Sequence, residues 1–90
     1  MTNARKPKLV LAEWLDSAQP IPGWRFLADA PKPEVVRCYS VGWLIAMNKR
    51  ATVLAPNIGN MENGGSPQGS GFIRIPTLSI TRLVELVEND

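Results

Sequence analysis

Residues 35–55 constrain this chain more than any other stretch. Val35 to Met47 forms the longest apolar run, with Ser40-Val41-Gly42-Trp43-Leu44-Ile45 at its centre. The run breaks at Asn48-Lys49-Arg50 and resumes as Ala51-Thr52-Val53-Leu54-Ala55. Two apolar runs about a short polar tip read as a β-hairpin. The long arm of that hairpin carries large residues at odd positions: Val35, Arg37, Tyr39, Val41, Trp43, Ile45 and Met47. Its even positions, Val36, Cys38, Ser40, Gly42, Leu44 and Ala46, are smaller. The expected arrangement turns the bulky odd face inward and leaves the small face open to a neighbouring backbone. Gly42 in mid-strand marks a bulge or sharp bend, and a bent long strand lets a small barrel serve two sheets with one strand.

The elements around the hairpin fit the same architecture. Lys8–Leu15 reads as a first strand with apolar residues on both faces, Leu9, Leu11 and Leu15 against Val10, Ala12 and Trp14; a short helix is the competing reading of Leu11–Leu15. Gln19–Pro33 holds Pro20, Pro22, Pro31 and Pro33, and each removes an amide donor and fixes φ. No strand or long helix is expected there. Because Trp24, Phe26 and Leu27 lie inside it, the segment reads as an ordered loop laid over the barrel mouth, with Trp24 and Phe26 plugging the core. Residues 57–71 are rich in Gly, Asn, Ser and Gln and are expected to be a mobile loop. Phe72–Ile75 reads as a fourth strand, Thr77–Ser79 as one helical turn after Pro76, and Ile80–Val87 as a last strand or, alternatively, an amphipathic helix. The fold class is therefore mainly β, a small five-stranded barrel in one domain over residues 8–88, preceded by a flexible arm over 1–7.

Composition narrows the function classes. Ninety residues bury only about 60–65% of the unfolded surface, so subunit contacts are an expected source of stability. The single cysteine, Cys38, excludes an internal disulfide and suits a reducing compartment. Histidine is absent, so a Cys or Ser nucleophile has no imidazole base. No Cys/His cluster of the kind zinc requires is present, and no cofactor is expected. The acids form no convergent pair: Glu13 and Asp16, three apart on a strand, face opposite ways. The glycines of residues 59–71 lack the Gly-Lys-Ser/Thr sequel of a phosphate loop. A non-enzymatic protein is expected. No apolar core of signal length follows the charged N-terminus, and no segment approaches the 18 apolar residues of a membrane span.

Binding remains. A net charge of +2 is too small to imply a polyanion partner on its own. Arginines beside aromatic rings clamp phosphates and stack on bases. The candidate ligand-binding residues on that logic are Arg37 and Tyr39 near the start of the long strand, Trp43 on the same face, Lys49 and Arg50 at the hairpin tip, Arg74 on the short fourth strand, and Trp24 in the proline-rich segment. Exposed edge strands of a small barrel favour pairing between subunits, so a homo-oligomer is expected.

The order of elements from Val35 to Leu86, with a bent long strand, a hairpin, a short strand ending Ile75-Pro76, one turn and a terminal strand, resembles the Sm-like small barrels. The Asp/Asn RNA-binding signature of that family is absent, and no helix precedes the first strand. Glu13-Trp14-Leu15-Asp16-Ser17, Cys38-Tyr39-Ser40-Val41-Gly42-Trp43-Leu44, Leu54-Ala55-Pro56 and Ile75-Pro76 resemble a group of short proteins encoded by bacteriophages and prophages. That resemblance implies a phage accessory protein acting in the host bacterial cytoplasm. Its expected partner is a small nucleotide-like anion or a host-defence protein. A nucleic-acid-binding regulator and a virion or assembly component are the alternatives.

Overall fold

A computed structural model describes residues 6–62 and 64–89. Seven strands run in chain order: β1 (Leu9–Asp16), β2 (Val36–Met47), β3 (Ala51–Ala55), β4 (Asn57–Gly59), β5 (Gln68–Ser70), β6 (Ile73–Pro76) and β7 (Ile80–Glu85). Five of them form one antiparallel sheet in the order β6-β3-β2-β1-β7, and among the described residues no pairing of β6 with β7 closes it into the expected barrel. β4 and β5 form a separate two-stranded hairpin. Single 3-10 turns occupy Leu27–Asp29 and Thr77–Ser79. The expected flexible arm over 1–7 lies largely outside the described residues.

The predicted central hairpin is present. Its tip is closed by the Asn48 side chain, whose Oδ1 accepts from the backbone N–H of Arg50 (2.8 Å) and Ala51 (2.9 Å). An asparagine does this because its short side chain reaches backbone amides two or three residues on. The far end of β2 pairs with β1, from Leu9 opposite Trp43 to Asp16 opposite Val36. A register shift between Leu44 and Ala46 inserts Ile45 as an extra residue against β3.

The predicted inward face of β2 is reversed. Gly42 is buried, and Cys38, Ser40 and Leu44 are half-buried beside it, whereas Tyr39 and Val41 are exposed and Trp43 is half-buried on the opposite side. The cause is visible at Gly42. A Cβ there would lie 3.1 Å from the Ala55 carbonyl oxygen and 3.3 Å from the Leu54 Cβ. The close approach of β3 admits only the small face, and β1 supplies the bulk opposite it. Val10, Ala12, Leu54 and Ile75 form the buried cluster, with Trp14, Leu44, Ile73, Ile80 and Leu83 packed against it. The Trp14 indole N–H donates to Ser40 Oγ at 3.0 Å across the β1–β2 ladder.

The turn after Pro76 is locked to the hairpin tip. Thr77 Oγ1 donates to the Asn48 carbonyl at 2.7 Å, and its own oxygen lies 2.9 Å from Thr52 Oγ1. A hydroxyl has one proton, so Thr52 donates to Thr77. That satisfies the only buried polar side chain among the described residues.

Two further expectations are corrected. The segment expected to be a mobile loop carries a hairpin, Asn57–Gly59 paired with Gln68–Ser70. Residues 17–35 do not cover the core. Every residue of that segment is exposed, Trp24 completely, Phe26 at 83% and Leu27 at 92%. Its four prolines offer no amide to a ladder, and no residue of the segment pairs with the sheet. The result is an elongated molecule of 62 × 27 × 26 Å with a radius of gyration of 17.9 Å, against about 12 Å for a compact chain of this length.

Candidate docking surface

The structure scatters the residues chosen from sequence. Arg37 lies opposite Leu15 at the end of the β1–β2 ladder from which the arm departs. Tyr39 lies opposite Glu13, which is paired in turn with Arg82 at 2.6 Å. Trp43 shares that outer face with Leu9, Leu11, Val41 and Val84, a row of apolar side chains across β2, β1 and β7 that nothing in the chain covers fully. Lys49 and Arg50 sit at the opposite end of β2, at the hairpin tip. Arg74 lies opposite Val53, two residues before the Ala51–Pro76 pair, and so belongs to the same end as Arg50. Among the described residues none of Lys49, Arg50 and Arg74 has a carboxylate within salt-bridge distance. Trp24 is on the arm, with Arg25, Phe26 and Asp29 about a shallow open hollow. Among the described residues no single clamp of arginines and aromatic rings is assembled.

Two other features are better formed. One is the arm itself, residues 17–35, which presents Ile21, Trp24, Phe26, Leu27 and Val35 to solvent. Its signal was in the sequence, since Ile21, Trp24, Phe26 and Leu27 stand within the proline-rich run, but the same signal fits a lid. The other is a pocket of about 260 Å³ at the far end of the sheet, lined mainly by Pro7, Ile45, Ile58, Met61, Pro67 and Phe72. The bulge in β2 makes Ile45 available to it, a common use of such an extra residue. The β4–β5 hairpin supplies Ile58 and Gly69. The Phe72 ring passes so close to Gly69 that a Cβ there would lie 2.7 Å from it. Lys6 and Glu62 form an exposed ion pair at 3.3 Å beside the pocket.

Comparison with protein-family models, with curated proteins and with solved structures found no match. The reading of function therefore rests on this chain's own surface. That surface is unusual in its balance. Among the described residues five hydrophobic side chains are buried, and thirteen large ones, from Ile21 to Val87, are exposed. No group of three or more His, Cys, Asp or Glu side chains converges among the described residues. Among the described residues no helix is long and apolar enough to cross a membrane.

Proposed function

We propose that this chain is a non-enzymatic protein-docking module that assembles with copies of itself, and that the arm over residues 17–35 is its docking element. The observation that carries the reading is the full exposure of Trp24, Phe26 and Leu27 on a proline-stiffened segment. Contiguous exposed apolar surface of this kind marks an interaction site. Prolines restrict the free arm, so less conformational freedom is lost when it docks. A core as small as Val10, Ala12, Leu54, Ala55 and Ile75 also favours assembly as a source of stability.

The sheet order, with one turn joining its two edge strands, supports the finer reading of the body as a small Sm-like barrel. The sequence resemblance supports a phage accessory or assembly protein in the bacterial cytoplasm. Sedimentation equilibrium tests the central part. A mass that is a multiple of 9.9 kDa and independent of nucleotides is expected; a monomer at every concentration contradicts it.

A second reading has one observation in its favour. Lys49 and Arg50 at the hairpin tip and Arg74 on β6, the strand paired with β3, have no acidic partners among the described residues, which suits a nucleotide-like anion. Ligand binding raises apparent stability by mass action. A rise in melting temperature with a nucleotide that is lost in Arg50→Ala and Arg74→Ala supports it. A mobility shift with DNA or RNA that weakens steeply with salt points instead to nucleic acid.

A further inference from the structure

Resting on the docking reading above, we infer that the arm's receptor is the 260 Å³ pocket on a second copy of this chain, with Trp24 as the side chain it takes, so that the protein assembles head to tail.

The first argument is position. The arm leaves β1 at its C-terminal end, after Asp16, and re-enters at Val36. The pocket is lined by Pro7, just before β1 begins, and by Ile45, beyond the far end of the β1–β2 ladder. β1 has eight residues, which at about 3.3 Å each separate the two sites by about 26 Å of strand. Every residue of the arm is exposed, and the molecule is 62 Å along its longest axis. Trp24 is wholly exposed and is not among the residues lining the pocket of its own chain, so knob and hole, rooted at opposite ends of the β1–β2 ladder, are assigned to a contact between molecules.

The second argument is fit. Apolar cavities of about 150 Å³ accept a benzene ring, and this one has about 260 Å³, room for the larger indole. Its walls are aliphatic, thioether and aromatic, from Ile45, Ile58, Met61 and Phe72, the surroundings in which an aromatic anchor is effective. Trp24 is the fully exposed aromatic side chain.

The third argument is area. A buried Trp or Phe removes about 150–250 Å² each from water. Trp24 and Phe26 with a matching area on the receiver therefore come to about 600–1,000 Å² before Ile21 and Leu27 are added, close to the roughly 1,200–2,000 Å² of a specific interface. Charge complements it. Arg25 and Asp29 flank the anchor, and the pocket's rim offers Glu62 and Lys6. These two are bridged to each other only across an exposed surface, where an ion pair is held weakly and is readily exchanged.

A contact between unlike patches is heterologous; it closes into a ring or continues as a filament. This predicts a complementation that an isologous dimer does not give. Trp24→Glu removes the knob and keeps the hole; Phe72→Glu does the reverse. Trp24 is fully exposed and Phe72 lies outside the five-stranded sheet with about half its surface exposed; circular dichroism verifies that both variants keep the sheet. The measurement is sedimentation equilibrium of wild type, each variant and their equimolar mixture. The expected result is an oligomeric wild type, two monomeric variants, and a mixture that forms a 1:1 dimer of twice 9.9 kDa and nothing larger. If Trp24→Glu is monomeric while Phe72→Glu assembles as wild type does, the pocket is not the receptor and the arm remains the docking element. If both variants are monomeric and the mixture stays monomeric, head-to-tail pairing is overturned. A wild type that is monomeric throughout removes the docking reading itself.

Discussion

At the scale of single residues, Gly42 decides which side of the central strand faces the core. It is replaceable by nothing larger without moving the Ala55 carbonyl, a backbone atom that cannot rotate aside. Gly42→Ala is expected to cost about 1–3 kcal/mol as overpacking, which for a domain of this size lowers the melting temperature by about 4–8 °C per kcal/mol. Thermal denaturation followed in the far ultraviolet measures it, and an unchanged midpoint would show that β3 shifts freely. This glycine also explains an error of sequence reading. Alternation along 35–47 was legible, and so were its two faces, but size alone pointed the wrong one inward. Tyr39 and Val41 are large and still face out, because the interior opposite Gly42 is filled by Val10, Ala12 and Trp14 from β1. Which of two apolar faces is covered depends on the neighbouring strand, and a single strand's pattern does not contain that.

At the scale of elements, the short-range chemistry was the readable part. The polar tip at Asn48-Lys49-Arg50, Pro56 ending β3, and Pro76 followed by a single turn all follow from local residue geometry. The lock between that turn and the hairpin tip was not readable, because Thr52 and Thr77 meet only once β3 and β6 pair. Their roles differ in a way that mutation reveals. Thr77→Ala leaves the buried Thr52 hydroxyl without its acceptor and is expected to destabilise by about 1–3 kcal/mol. Thr52→Val removes the donor, while Thr77 keeps its bond to Asn48. The smaller loss is therefore expected there, with Thr52→Val in the Thr77→Ala background costing little more than Thr77→Ala alone. Urea titration of the three variants checks the order; equal single losses would refute the donor assignment. The β4–β5 hairpin was missed for a related reason. Its glycines predict freedom, yet Gly69 is present because the Phe72 ring packs where a side chain would stand.

At the scale of the whole molecule, the central claim is that the sheet folds without the arm and the assembly does not form without it. The proline-rich composition of residues 19–33 was legible as the absence of strand. It did not distinguish a lid from a projection, since both expose the same residues to a different neighbour. The ladder suggests the decisive change. Asp16 and Val36 are cross-strand partners, so residues 17–35 can be replaced by a two-residue Asn-Gly turn, which matches the twist of an antiparallel pair. The arm-excised chain and the full chain are compared by sedimentation equilibrium, with circular dichroism recorded on the same samples. The account predicts a β-sheet spectrum for both, an assembled full chain, and a monomer after excision. An excised chain that still assembles, or one that loses its sheet, would contradict it.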